Sequence, residues 1–421
     1  MQEAPPSPLL ATYLSFGLYF GTLLFALATC LARAMSFPVT LKSGVYLLIA
    51  SASANITWLE IIRWMESLLA DYQAKTGGSF TDWMQRVDIF DAAYALVVNT
   101  TEKWWWSSQH LLFTVSVMIF FWREGIHRAL SYPFIPVSKE AAEIALPRSK
   151  RSSKKAEPAP AVTGERLSIW FANTFVFVLL GFLGAISTCL ALFLIQHNPS
   201  LKSHTLRIKD VQPTAALNTF ILMSVTSIAA TIILEPGTFA FFWNLRALHL
   251  FLILPIILDS GTSWFKVLRS PLSPPSVDDE TTKTPVKQNR LSKSKKPGKP
   301  RRKWEVKDLY NLVGFMSLVS HLTLTAFYFA RYGGTVTELI RAVFDNHCQT
   351  SITADYLFAM VAVVVFMITE TRRLSINGGL VFWMMLSMPL LSSSSIFPFY
   401  LALRETAMLQ QISEEADEKR K

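Results

Sequence analysis

A few ionisable residues inside or beside long apolar stretches are where this chain could do chemistry. Placing such a group at membrane depth costs about 2.5 to 3.5 kcal/mol on insertion scales, so each needs a reason to be there. Glu60 closes one apolar stretch three residues before Arg63, on one helical face, forming either a membrane-buried pair or an interfacial ion pair. His110 lies inside another stretch, one turn after Trp106, where an imidazole either passes protons or serves as a hydrogen-bonding core residue. At the far end of that stretch stands Trp122-Arg123-Glu124-Gly125, whose Arg123 and Glu124 read equally well as a site or as the cytoplasmic edge. Arg246 and His249 lie about one helical turn apart in an apolar segment and fit a polar cavity better than lipid contact. His321 and Asp355 are single occurrences, read as structural.

Other chemistry is excluded by what is missing. The sequence has no Gly-rich phosphate loop, no His-Glu-x-x-His pair, no Gly-x-Ser-x-Gly elbow and no spacing suited to zinc. ATP-driven pumping, zinc hydrolysis and a serine nucleophile therefore have no support, and no cofactor or metal is expected. Asp-rich motifs that hold magnesium on a diphosphate are also missing, so isoprenoid chemistry would have to begin by protonation. Cys30, Cys189 and Cys348 are scattered and build no disulfide framework; they read as packing residues.

The elements that must position these groups are membrane helices. Hydrophobic residues make up 51% of the 421, aromatic residues 13% and charged residues only 17%, and the mean hydropathy is positive. Nine apolar stretches, about 9–32, 43–62, 104–122, 167–195, 214–234, 239–258, 309–330, 353–369 and 378–402, are candidates to span the hydrocarbon core, which takes about 20 residues as a helix. The expected fold is an all-α polytopic transmembrane helix bundle with 8–9 membrane segments and two disordered basic loops. Trp58, Trp64, Trp104, Trp105, Trp106, Trp170, Trp243 and Trp304 lie near span ends, where an indole prefers the headgroup layer.

Charge sets the orientation. The formal net charge is +10, but 22 of the 40 basic residues sit in two Lys/Ser/Pro-rich segments, 123–166 and 259–307. That excludes a nucleic-acid surface and marks two disordered cytoplasmic loops, which act as orienting linkers or as tethers to anionic lipid headgroups. Three stretches separate them, so one must fail to cross. The best suspect is 239–258, a re-entrant or buried segment that follows the breaker Glu235-Pro236-Gly237. Eight crossings put both termini in the lumen, with the basic end Lys419-Arg420-Lys421 the weak point of that topology. They divide the chain into three helices to 122, the loop 123–166, helices over 167–258, the linker 259–307, three helices over 308–403 and a charged tail 404–421. The acidic loop 63–103 suits the lumen and holds the sequon Asn99-Thr100-Thr101, close to the membrane edge. Within it, apolar residues at three- and four-residue steps over 82–98 predict an interfacial amphipathic helix with Asp88 and Asp91 on one face. The N-terminal stretch reads as a retained helix, not a cleaved signal.

The run Trp104-Trp105-Trp106-Ser107-Ser108-Gln109-His110 through Arg123-Glu124-Gly125, followed by a basic loop and the long Gly-containing span at 167–195, resembles a broad group of fungal multi-spanning membrane proteins. In length, span count and lack of soluble-enzyme motifs the chain is also similar to the membrane-bound terpene cyclases of meroterpenoid pathways. That resemblance implies a reaction in which a carboxylic acid protonates the epoxide or alkene of a prenylated substrate, and the cation cyclises along an aromatic surface. It implies as catalytic candidates the carboxylates near membrane depth, Glu60, Asp88, Asp91 and Glu124, with His110, Arg246 and His249 as polar partners. Partners would be the bilayer and a hydrophobic small molecule, and the compartment the endoplasmic reticulum ahead of the plasma membrane. A carrier, with helices broken near Pro255 and Pro389, and a scaffold without chemistry are the competing expectations.

Overall fold

The first turn of each helix shows why it begins where it does. Thr40 caps α2 (Leu41–Thr76) in a reciprocal box with Ser43, and Gly77, in the left-handed conformation at φ 66°, ends it. Ser79 and Asp82 form the same box at the start of α3 (Phe80–Arg86). The chain then turns extended at Val87 and Asp88, and the Asp88 carboxylate accepts from the amides of Phe90 and Asp91, both at 3.0 Å, to start α4 (Ile89–Val98). The single helix expected over 82–98 is therefore two, because Asp88 is an N-cap and not a face residue.

This computed structural model describes residues 9–37, 39–131, 164–196, 215–231, 233–234, 238–252 and 304–418. Among them are α1 (Leu9–Met35), α5 (Thr101–Ser131), α6 (Gly164–Leu183), α7 (Ile186–Ile195), α8 (Ala215–Ala230) and α9 (Phe239–Leu252). The C-terminal part adds α10 (Val306–Tyr332), α11 (Val336–Ala342), α12 (His347–Arg373), α13 (Gly378–Leu391) and α14 (Ser393–Glu418). Most of the two basic loops, Glu235-Pro236-Gly237, Pro255 and Lys419-Arg420-Lys421 lie outside the described residues, although α5 and α6 extend helix into both edges of the first loop. The described residues are all-helical, without a strand.

Four helices are long and apolar enough to cross a membrane: Thr12–Met35, Leu41–Thr76, Val306–Ala330 and His347–Arg373. They show apolar residues outward, such as Leu14, Leu18 and Leu24 on α1 and Phe315 on α10, as lipid-facing helices do. α5 differs, because every residue from Leu112 to Gly125 is buried. A helix apolar all round belongs at the centre of a bundle, and α5 packs against α6, α10 and α14. Phe120 meets Phe193, Phe366 and Phe397 there, while Phe121 lies 4.5 Å from Phe193.

The tryptophans at the start of α5 are internal clamps, not depth markers. Trp104 is buried, Trp105 donates its indole N–H to Thr325 Oγ1 of α10 at 2.8 Å, and Trp106 donates to Thr353 Oγ1 of α12 at 2.9 Å. All three cysteines are free and buried.

At the other end of α5 a neutral set of six charges ties three helices together. Arg404 of α14 donates to Glu124 of α5 at 2.7 Å and to Glu370 of α12 at 2.9 Å. Arg123 donates to Glu405 at 2.9 Å, and Arg373 to Glu370 at 2.6 Å. Five of the six are buried; Arg373 alone is partly open.

Two spans expected to be continuous are broken. The stretch 167–195 divides into α6 and α7 at Gly184 and Ala185, where Ala185 is extended at φ −140°. The stretch 378–402 divides into α13 and α14 at Ser392, whose φ of 68° is left-handed.

Candidate functional site

The break between α6 and α7 creates the site. Leaving the helix at Ala185 frees the first amides of α7, which lack partners inside their own helix and carry the positive end of its dipole. Asp355, eight residues into α12, fills that position. Its carboxylate accepts from the amides of Ile186 at 3.1 Å and Ser187 at 2.8 Å, and also from the Ser187 hydroxyl. On the other side of the break the Tyr19 hydroxyl of α1 donates to the Leu183 carbonyl at 2.7 Å. Ser53 of α2 bonds Ser187 and Thr188, so α2, α7 and α12 are locked together around the carboxylate.

The remaining partner of Asp355 is His110, whose Nε2 lies 3.0 Å from Oδ2. With both carboxylate oxygens accepting, the imidazole presents N–H at Nε2. Its Nδ1 has no hydrogen-bond partner among the described residues, and the ring lines a cavity of about 300 Å³. A carboxylate that fixes the orientation of an imidazole, leaving the second nitrogen to give or take a proton, is the geometry of general acid–base catalysis.

Two further groups converge on the same cavity. His249 of α9 donates from Nδ1 to the Leu245 carbonyl at 2.7 Å, leaving Nε2 to meet the Tyr94 hydroxyl of α4 at 3.1 Å. Thr57 of α2 is buried against it with a hydroxyl that has no hydrogen-bond partner among the described residues. Most of the wall is aromatic or aliphatic, with Tyr19, Phe20, Trp58, Trp64, Phe90 and Phe182 its aromatic members. Through Phe20, Trp58, Ile61 and Met65 the cavity adjoins a second, larger space of about 520 Å³ bounded by α1, α2, α3 and α6. That space is lined almost wholly by apolar side chains.

Of the seven catalytic candidates named from the sequence, His110 and His249 meet here, and the other five lie elsewhere. Glu60 accepts from Arg63 at 2.7 Å and from His347 Nδ1 at 2.8 Å; its neighbours Thr57, Trp58, Ile61 and Trp64 line the cavity, but Glu60 does not. Asp88 caps α4. Asp91 pairs with Arg246, both half-exposed, and Arg246 also stacks over Trp243 at 5.2 Å. Glu124 is locked in the ionic cluster. His321 bonds the Leu390 carbonyl at 3.1 Å, a structural role. Asn99 is exposed at the C-terminus of α4.

Sequence reasoning read Asp355 as structural and gave Tyr94 no role in a site. The signal for Asp355 was available, since a lone carboxylate early in an apolar span carries the same insertion penalty as any other. Its significance depends on α7 amides 168 residues away. Among the described residues no cluster of three or more His, Cys, Asp or Glu suits a metal ion.

A family model described as a protein of unknown function, DUF2834, matches residues 309–406. That segment runs from the first turn of α10 into the middle of α14. It contains Asp355 and four members of the ionic cluster, but neither His110 nor His249. No curated protein and no solved structure matches the chain.

Proposed function

We propose that this chain is an integral membrane enzyme that cyclises a lipid-soluble isoprenoid by protonating it, in the manner of the membrane-bound terpene cyclases of fungal meroterpenoid pathways. The observation that carries this reading is the His110–Asp355 pair set at the polar end of an aromatic-walled cavity. Its acid differs from the carboxylates that the resemblance implied. Asp355 is saturated with donors and orients His110, which acts as the imidazolium: the proton leaves from its Nδ1 and the Nε2–H facing Asp355 stays in place. It goes to the epoxide oxygen or terminal alkene of the substrate. The C–O bond opens or the π bond is consumed, a neighbouring alkene supplies the electron pair for the new ring bond, and the cation is held over the Trp58 and Trp64 faces. Loss of a proton from carbon ends the reaction and restores the acid, so product and substrate have equal mass.

The same reading keeps eight crossings, with α9 as the segment that stays within the bundle. The His249 of α9 faces the cavity. Both termini are then luminal, and the endoplasmic reticulum is the compartment. The test is mass spectrometry of microsomes from a host expressing the chain, fed a prenylated phenol and its terminal epoxide. A product of unchanged mass that disappears in His110→Ala and Asp355→Asn, but persists in Glu60→Gln, is the expected result. A general acid contributes about 10²- to 10⁴-fold, so wild-type turnover from either variant removes the pair from the mechanism.

A carrier is the second reading, favoured by the broken α6–α7 span, because discontinuous helices with exposed half-helix ends are how many transporters build midplane sites. Substrate flux into sealed vesicles without chemical change would select it.

A further inference from the structure

The cavity and the apolar space beside it differ in chemistry in a way that defines the ligand. The cavity holds the hydrogen-bonding groups His110, His249, Asp355 and Thr57, whereas the adjoining groove is bounded by side chains such as Leu23, Leu27, Ile61 and Leu180. Leu24 at 63%, Ile62 at 49% and Phe80 at 51% exposure form its outer rim. Those three lie on lipid-facing helices or beside them, so the groove opens sideways into the bilayer between α1 and α2.

The charge of the walls narrows the head group. Neither chamber is lined by a Lys or Arg among the described residues, and their acids are Asp355 and Glu66. Phosphate groups are held by guanidinium or ammonium groups, or by free amides at a helix N-terminus. Among the described residues three helices begin at these walls: the N-terminus of α7 is occupied by the Asp355 carboxylate, that of α4 by its Asp88 cap and that of α3 by its Ser79 cap. A diphosphate in the cavity would find no positive charge that Asp355 does not already offset, whereas a hydroxyl or phenol finds a partner in the Thr57 hydroxyl and in Nδ1 of His110.

We infer that the cavity and groove together form one binding site for a single-chain lipid with an uncharged hydroxyl- or phenol-bearing head, which enters laterally between α1 and α2, head in the cavity and chain in the groove. The site excludes phosphate-headed lipids, both bulk phospholipid and prenyl diphosphates. The direction of the ligand rests on the reading of His110 and Asp355 as the reacting pair.

The experiment uses the full chain in phosphatidylcholine nanodiscs and a farnesyl hydroquinone carrying a diazirine at the chain end. Photolysis followed by peptide mass spectrometry is expected to place the label on α1, α2 or α3 around the groove. Unlabelled farnesyl hydroquinone competes, and farnesyl diphosphate competes at least about tenfold more weakly, the minimum for an uncompensated like charge worth 1.4 kcal/mol. Ala54→Trp fills the groove and removes labelling. Leu24→Trp, on the exposed rim where the fold has no need of leucine, reduces it.

Equal competition by the diphosphate overturns the inference. So does a label on the outward leucines of α13, or labelling unchanged in both tryptophan variants. The same nanodiscs, fed the epoxide, separate this from the enzymatic reading. Groove labelling with no isomer removes the cyclase and leaves the ligand class standing, while isomer formation with the label elsewhere removes the groove and leaves the cyclase.

Discussion

Arg404 is the residue whose loss should harm this fold most for its size. Its guanidinium is buried, donates to Glu124 and Glu370, and lies 5.5 Å from the centre of the Phe366 ring. Arg404→Met keeps most of the volume and removes the charge. Glu370 retains both bonds from Arg373, so the damage falls on Glu124, which stays buried after losing its 2.7 Å contact. Breaking a buried ion pair from one side costs about 3–5 kcal/mol, and because Glu370 stays paired the expected loss is near the lower end, about 3 kcal/mol. Arg373→Met supplies the contrast. Its side chain is 30% exposed and Glu370 keeps Arg404, so about 1 kcal/mol or less is expected. Adding Glu124→Gln to Arg404→Met should return part of the loss, since the cycle isolates a coupling of about 1–2 kcal/mol between touching groups. Equilibrium unfolding in mixed micelles, followed by fluorescence of the 12 tryptophans, measures all five proteins, the Glu124→Gln single variant that closes the cycle included. An Arg404→Met protein within 1 kcal/mol of wild type, or a double variant weaker than the single, would refute this account of the cluster.

Gly184→Ala would set a methyl 2.9 Å from the Leu180 carbonyl oxygen and 2.9 Å from Leu23 Cδ1, where the first neighbour is backbone. Overpacking of this kind costs about 1–3 kcal/mol, and hydrogen exchange at the Ile186 and Ser187 amides should quicken as α7 shifts from Asp355. Asp88→Ala should lose about 1 kcal/mol through its cap, whereas Asp88→Asn, an equal cap, should retain both stability and turnover; loss of turnover with the fold intact would return Asp88 to the chemistry. Glu338, on α11 outside the long spans, is held below the ordinary carboxylate range first by the Thr335 amide, then by the Thr335 and Tyr328 hydroxyls. A lowered carboxylate stabilises above its unfolded value and stops doing so as pH falls through the folded one. Exchange protection of α11 should therefore be constant at neutral pH and fall below about pH 4, and Glu338→Gln should flatten that dependence.

The existence of the apolar helices was legible because bilayer thickness and backbone hydrogen bonding leave few alternatives, and 9–32, 43–62, 309–330 and 353–369 each lie within or largely within a long helix. The breaks at Ala185 and Ser392 were not. Apolarity runs unbroken through Ile186–Ile195, and what makes a break tolerable there is a carboxylate from another helix. The same reason hid Asp355, whose partners are a histidine 245 residues away and two amides that only the break exposes. His110 and His249 were visible as imidazoles at membrane depth. Glu60 was equally visible, but its carboxylate is engaged by His347 and Arg63 and does not line the cavity. The Trp104–Trp106 run misled because indole preference for headgroups is a statistical surface effect, while Thr325 and Thr353 offer specific hydroxyl partners inside the bundle.

The six-charge cluster also constrains how the chain can be made. Arg123 and its Glu405 partner are separated by 282 residues, a delay of about 15–55 s at ordinary elongation rates. Arg123 and Glu124 are adjacent and attract each other, but their partners Glu405 and Arg404 arrive only with α14. Until α14 is synthesised, the carboxyl-terminal end of α5 has to stay where water or headgroups solvate it, and only the last helix lets it take its final depth. A nascent chain stopped short of residue 404 therefore lacks the Arg404 and Glu405 counter-charges of its central helix, which makes synthesis of α14 the step that commits the bundle to its core.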